Sequence, residues 1–353
     1  MSTLKSINVI HPSSAVNNIV NDASGNVAVG NNLTVAGTST ISGNETVTGT
    51  LAMGSSFKRN RIINGNMATD QRNAGAAQTI TAGAALAYSV DRWYAYCTGA
   101  NVTGQQVAGA TANQYRYRFT GAASVTAIGF AQRIEAINSA DLAGTTATLS
   151  VDLANSLLTT VTWTAYYANT TDTFGTLASP TVTSIATGTF TVTSTVTRYN
   201  AQISIPSAAT TGLQIVLSVG AQTSGTWTIG SVQLEVGTKA TPYEMQIYND
   251  QLAQCQRYYQ KYTTRALGVS FTATSLYTGG VLSFPVTMRS APTLDSGATY
   301  TVTSGSAGTV ALNPNSSPPS GITTVDQASF YNSSSNWSSG IYIAINCGLS
   351  AEL

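Results

Sequence analysis

The sequence predicts an all-β protein: a short trimeric β-solenoid shaft, a jelly-roll β-sandwich, a short α-helix and a smaller C-terminal β-sandwich. Three observations carry this prediction. Apolar and polar residues alternate with period two from residue 58 onward, and a six-residue glycine spacing fills the stretch before it. Charged residues make up only 8% of the 353, where roughly 25% is usual. The polar surface must therefore come from Thr, Ser, Asn and Gln, and Thr is β-branched and suits a pleated, half-exposed face.

Residues 1–24 are polar and weakly patterned, which fits either a flexible terminus or an attachment segment that docks on another protein. Residues 25–57 repeat. Gly37, Gly43 and Gly49 are spaced by six, and Ile41, Val47 and Met53 each fall four after a glycine. One inward aliphatic and one glycine turn per hexad is the habit of a solenoid shaft. A single-chain hexad solenoid takes about three hexads per coil, so this stretch supplies fewer than two coils. That is too little to bury a core alone. Three chains wound together would supply enough strands, so the shaft implies a homotrimer with Ile41, Val47 and Met53 facing its axis. The alternative is a Gly/Thr-rich linker.

Residues 58–247 carry the densest alternation. In TTATLSVDLA, Ala147, Leu149, Val151 and Leu153 face one way, with Thr146, Thr148, Ser150 and Asp152 opposite. In QYRYRF, Tyr115, Tyr117 and Phe119 oppose Arg116 and Arg118. In TVTWTAYYA, Val161, Trp163, Ala165 and Tyr167 share a face that leaves Tyr166 on the other. GLQIVLSVG and GTWTIGSVQLEVG add two more apolar strands. About ten strands separated by Gly, Ser, Asn and Thr turns read as two packed antiparallel sheets, a jelly roll by strand count.

Residues 248–263 break the pattern with good helix formers and no glycine. Tyr248, Leu252, Cys255, Tyr259 and Tyr262 recur at four, three, four and three, which predicts a helix with a seam of Leu252, Cys255, Tyr259 and Tyr262. Residues 264–353 return to short strands, VLSFPVTM, TYTVTSG, GTVAL and GIYIAINC. They form the second sandwich, with loops at NPNSSPPSG and YNSSSNWSSG.

Function classes fall away by composition. A net charge of +1 leaves no basic footprint for nucleic acid or anionic lipid. No stretch approaches the roughly 18 apolar residues of a membrane span, and no signal peptide is visible. The three cysteines, Cys97, Cys255 and Cys347, have no zinc-ligand spacing. His11 is the lone histidine, in the terminal segment, so triad chemistry and three-histidine zinc chemistry lack their groups. The expectation is no catalytic residue, no metal ligand and no cofactor.

At RNRIINGNMATDQRNAG (59–75) the chain resembles a segment of predicted phage tail fibres and tail-associated receptor-binding proteins. The likeness returns at YSVDRWYAY (88–96), at VQLEVGTKATPYE (232–244) and at QLAQCQRYYQKY (251–262). The four blocks lie in the family's order and span roughly residues 58–262. The resemblance implies a jelly-roll module similar to carbohydrate-binding modules on a trimeric fibre. It further implies docking on other tail proteins through the N-terminus, and a host surface polysaccharide or lipopolysaccharide as partner. Such a protein is made in the host cytoplasm and carried in the virion. No ligand residue is implied. Jelly-roll modules often hold a structural calcium, but no local cluster of acids marks a site here. Within DRW, strand alternation would place Asp91 and Trp93 on one face and Arg92 on the other, with Trp93 in the core.

Saccharides present apolar faces and hydroxyls, so exposed aromatics set among amides are the candidate contacts. Tyr331 and Trp337 in the Ser/Asn loop and Tyr166 opposite the apolar register of its strand are those residues. Two other readings stand beside glycan binding. One is a polysaccharide-cleaving tailspike, which needs two carboxylates drawn from Asp152, Glu135, Asp141 and Asp172. The other is a purely structural tail component.

Overall fold

The computed structural model describes residues 8–9, 19–21, 27–29, 58–109, 111, 114–267, 270–271, 278–295, 299–303, 309–311, 325–332 and 342–353. The chain divides into two compact units, residues 1–54 and 55–353. In the first, β1 (Asn8–Val9), β2 (Ile19–Asn21) and β3 (Val27–Val29) form an antiparallel sheet in the order β1-β2-β3. The strand β3 falls on the NVAVG run and pairs with β2 through Ile19↔Val29 and Asn21↔Val27. Ile41, Val47 and Met53, and with them the expected shaft register, lie outside the described residues.

The second unit contains the expected sandwich. Its strands are β4 (Gln78–Ile80), β5 (Ala87–Tyr88), β6 (Trp93–Thr98), β7 (Val102–Ala108), β8 (Tyr115–Thr120) and β9 (Ala127–Ile134). After the short helix α1 (Ala136–Ser139) come β10 (Thr146–Asn155), β11 (Thr160–Ala168), β12 (Val182–Thr191), β13 (Thr197–Ser204), β14 (Leu213–Val219) and β15 (Thr226–Val236). A first six-stranded sheet runs β13-β10-β15-β8-β7-β4 and a second runs β12-β11-β14-β9-β6-β5. Most consecutive strands cross from one sheet to the other, as in a jelly roll.

The inner faces follow the sequence alternation. Ala147, Leu149, Val151 and Leu153 of β10 meet Leu213, Ile215, Leu217 and Val219 of β14 in one buried cluster. At its centre is an aromatic stack. Trp93 lies 4.7 Å from Phe130, Tyr117 lies 5.0 Å from Phe130, and Phe119 lies 5.3 Å from Trp227. Such pairs add about 0.5–1.5 kcal/mol each beyond the area they bury. On β15 the inward residues change parity, from Trp227 and Ile229 to Val232 and Leu234. A register shift opposite Ser150/Asp152 and a left-handed Ser231 (φ 47°) absorb the extra residue as a bulge.

The INGNM segment closes one end of the sandwich with side-chain amides that imitate a strand. Gln132 accepts a hydrogen bond from Ile63 N at 2.8 Å and donates to Ile63 O at 2.8 Å. Asn64 donates to Thr69 O at 2.8 Å and Asp91 O at 2.9 Å, and its own carbonyl takes the Trp93 Nε1 proton at 3.0 Å. Buried polar groups need such partners. The alternation expected for Asp91, Arg92 and Trp93 does not hold. Trp93 N closes a turn on Val90 O at 3.0 Å, Arg92 takes a left-handed φ of 72°, and all three residues are buried.

The helix is shorter than the seam predicted. The helix α2 (Tyr248–Gln256) carries Leu252 and Cys255, whereas Tyr259 and Tyr262 lie on a strand, β16 (Tyr259–Leu267). The β-favouring run YYQKYTT finds a partner in β23 (Tyr342–Ser350), with Tyr259 opposite Ser350 and Tyr262 opposite Cys347. That pairing overrides a short helix of low intrinsic stability. The remaining strands are β17 (Ser270–Phe271), β18 (Thr278–Ser283), β19 (Thr293–Leu294), β20 (Thr299–Thr303), β21 (Thr309–Ala311) and β22 (Gln327–Asn332). One sheet runs β16-β23-β20-β21, with β19 also on β23, and the other runs β17-β18-β22. Both sheets belong to the same compact unit as the sandwich, residues 55–353.

Candidate functional site

Each sheet of the sandwich has an outer face, and the two are finished differently. On the first sheet, Thr148, Ser150, Gln233 and Glu235 point outward yet are buried. The chain after β15 folds back over them. Glu235 accepts hydrogen bonds from Thr241 N at 2.8 Å and Thr241 Oγ1 at 2.7 Å and pairs with Arg59 at 3.3 Å. Gln233 Oε1 accepts Glu244 N at 2.8 Å, and Thr148 Oγ1 donates to Gly237 O at 2.7 Å.

The outer face of the second sheet holds a cleft of about 200 Å³. Its floor is laid by alternation along four neighbouring strands: Tyr94 and Tyr96 on β6, Arg133 on β9, Gln214 and Val216 on β14, and Tyr166 on β11. The loop between β11 and β12 forms a wall with Phe174, Thr176, Leu177 and Pro180. Tyr94, Ala131 and Val216 make a small apolar cluster here, against which Tyr88, Tyr96, Tyr166 and Leu177 pack.

Glycine sets the height of one ring. Gly129 is the cross-strand partner of Tyr96, and a Cβ there would stand 2.1 Å from Tyr96 Cζ. The Tyr96 ring therefore lies down over the sheet instead of standing off it. Tyr94 is buried and fixed from the side by an edge-on contact with Tyr88 at 6.0 Å. Burial pushes the Tyr94 and Tyr96 phenols up from their ordinary range, with the neighbouring Tyr166 adding to the Tyr96 shift. Both therefore remain hydroxyl donors at neutral pH. The Arg133 guanidinium lies 5.1 Å from the Tyr94 ring centre and 5.3 Å from that of Phe174.

Of the aromatics singled out in the sequence, Tyr166 lines this cleft. Tyr331 is not in a loop: it belongs to β22, paired with Gly279, because the β-favouring pair Phe330 and Tyr331 continues the strand. Trp337 lies outside the described residues. Tyr94, Tyr96 and Gly129 were not singled out by the sequence reading. Their signal was in the WYAYC run, where placing Trp93 in the core commits Tyr94 and Tyr96 to the opposite face. Leu252 is half-buried and Cys255 buried on α2, both away from the cleft lining.

The carboxylates considered for hydrolysis are each engaged within the protein. Asp152 pairs with Arg198 at 3.1 Å, Asp141 with Arg61, and Glu135 with Arg257 at 3.2 Å, while Asp172 accepts Ala136 N at 2.7 Å. None of them lines the cleft. No group of three or more His, Cys, Asp or Glu that could hold a metal ion occurs among the described residues.

Three of the four blocks that carry the tail-fibre resemblance, 59–75, 88–96 and 251–262, converge elsewhere, at a buried junction. Asp91 takes hydrogen bonds from Gln71 Nε2 at 2.6 Å and Gln71 N at 3.3 Å. Gln251 of α2 donates to Asn64 Oδ1 at 2.8 Å. Arg92 stacks on Tyr258, 3.5 Å from its ring centre, and Tyr258 donates to Glu135 at 2.7 Å.

The all-β course of the sandwich resembles several solved structures. No family model and no curated protein matches the chain. One similar structure is the enzymatically active domain of tailspike protein 4 of bacteriophage CBA120, 17% identical over 51% of this chain and 22% of that one, with a TM-score of 0.33. Another is TmCBM61 in complex with β-1,4-galactotriose, 12% identical over 51% of this chain and 99% of that one, TM-score 0.30. A third is a family 11 carbohydrate-binding module from Clostridium thermocellum, 13% identical over 48% of this chain and 99% of that one, TM-score 0.29. Likenesses of this depth concern the course of the chain; what the cleft can hold is set by its own side chains.

Proposed function

We propose that the chain is a virion tail fibre protein that recognises the host surface by binding a polysaccharide in the cleft of the second sheet, without cleaving it. The observation that carries this reading is the recumbent Tyr96 ring over Gly129, flanked by Tyr166, Gln214 and hydroxyl donors in a cleft that no described residue fills. A saccharide ring offers an apolar face to such a ring and hydroxyls to the amide and phenols around it. The cleft lining has no carboxylate, so it provides neither of the two acids that glycoside hydrolysis requires. The homotrimer, the docking on other tail proteins through the N-terminus and the place in the virion belong to the same proposal. One shallow site of this kind binds at about millimolar, near −4 kcal/mol. Three sites per fibre would multiply that by about 10² or more when geometry permits.

The test is an array of capsule and O-antigen saccharides probed with the full chain. Replacing Tyr96 and Tyr166 together by Ala is expected to lower the array signal about tenfold or more, in line with the loss of one good contact, while the melting transition stays cooperative. Unchanged binding would move the site to the C-terminal module, where Tyr331 and Trp337 are the candidates. No binding by the intact chain would favour a structural component, and new reducing ends would favour a cutting spike.

A further inference from the structure

Arg133 lines the cleft, but its donors are used within the protein. Its Nε donates to Gln214 Oε1 at 3.1 Å, its Nη2 to Gly175 O at 2.9 Å and its Nη1 to Leu353 O at 2.6 Å. The first bond orients a cleft amide, and the second holds the β11–β12 wall at Gly175, a left-handed glycine (φ 73°). The third runs outside the cleft, to the segment that follows β23. Leu353 O also accepts the Tyr88 hydroxyl at 2.9 Å, and Tyr88 is the residue that braces Tyr94.

That segment is itself held on both sides. Ala351 N donates to Tyr258 O at 2.7 Å, and Arg289 donates to Ala351 O at 2.9 Å and Glu352 O at 3.0 Å. Glu352 pairs with Arg72 at 3.3 Å and with the buried Arg92. Arg92 in turn donates through Nη2 to the main-chain oxygen of Arg133 at 2.5 Å. Arg133 is thus fixed at its side chain by Leu353 and at its backbone by the arginine that Glu352 neutralises. Buried charges held by paired partners tolerate few alternative positions.

We propose that Glu352 and Leu353 position the glycan cleft: seated in the junction, they hold Arg133, and through it the Gly175 wall, Gln214 and Tyr94, in the binding geometry. This inference rests on the cleft being the binding site. On it, Arg133 is a positioning residue, and the C-terminal module and the sandwich are coupled through residues 351–353.

The experiment compares the full chain with a variant lacking Leu353 and with Tyr88→Phe, which removes a single hydrogen bond to Leu353 O. Hydrogen exchange is read without saccharide. In both variants the amides of Thr176 and Thr181, which close the wall on Ser179 O and Phe174 O, are expected to exchange about tenfold faster, while amides of β10 and β15 stay as in the parent. Binding to immobilised O-antigen and capsule oligosaccharides is expected to fall about tenfold without Leu353 and about threefold in Tyr88→Phe. Wall exchange and binding that match the parent in both variants would overturn the proposal. If removing Leu353 unfolds the chain, Tyr88→Phe alone decides by the same two readouts. Should the parent bind no saccharide, the glycan reading fails by itself, and the exchange of the wall still reports whether Leu353 holds it.

Discussion

The two outer faces of the sandwich are built from the same pleated strands and end in opposite states. On the first sheet, Gln233 and Glu235 have their hydrogen bonds met by Thr241 and Glu244 of the same chain. On the second, Tyr96 and Tyr166 remain partly exposed beside a cleft that no segment of the described chain fills. The difference teaches which polar side chains are structural. A buried carboxylate or amide with every bond met internally holds the fold, whereas partly exposed rings with hydroxyls to spare offer a surface to something else.

Four substitutions break or sharpen that contrast, in falling order of expected effect. Trp93→Ala removes the buried ring stacked on Phe130 in the aromatic cluster shared by both sheets and is expected to cost about 3–5 kcal/mol in denaturant unfolding, erasing any distinction between the faces. Glu235→Ala takes the acceptor from Thr241 and breaks the ion pair with Arg59. It is expected to cost about 2–3 kcal/mol and to leave saccharide binding as in the parent once the protein is folded. If Glu235→Ala weakened binding as much as stability, the two faces would not be independent. Gly129→Val forces Tyr96 off the sheet. Its expected signature is about a tenfold loss on the saccharide array, with a stability change of about 1–2 kcal/mol from the crowded ring. Tyr166→Phe, the smallest change, removes one hydroxyl and is expected to weaken binding about threefold, near 0.7 kcal/mol, with the melting midpoint unmoved.

Much of the fold was legible because alternation is a strong signal where one face is core. The inward set on β10, from Ala147 to Leu153, and the pair Tyr117 and Phe119 on β8 sit where the sequence placed them. The same rule failed at Arg92, because a left-handed turn residue interrupts the strand period and nothing in the Asp-Arg-Trp triplet announces it. It failed again past Gln256. The heptad-like spacing of Cys255, Tyr259 and Tyr262 is real, but a strand partner nearly ninety residues downstream competes for the same tyrosines. Long-range pairing of that kind leaves no local trace. The cleft was half legible. Tyr166 could be found by opposing it to an apolar register. Tyr96 needed its partner Gly129, a cross-strand relation that sequence spacing does not encode.

The entry of the chain into the sandwich at Lys58 has a mechanical consequence. Lys58 N and Asn60 N donate to the two oxygens of one carboxylate, Glu244, at 2.6 and 3.0 Å. The Asn60 side chain adds bonds to Val232 O at 3.1 Å and from Leu234 N at 3.1 Å. A pull on the chain upstream of residue 58 is therefore shared among several bonds that must yield together, rather than one after another as in the unzipping of an edge strand.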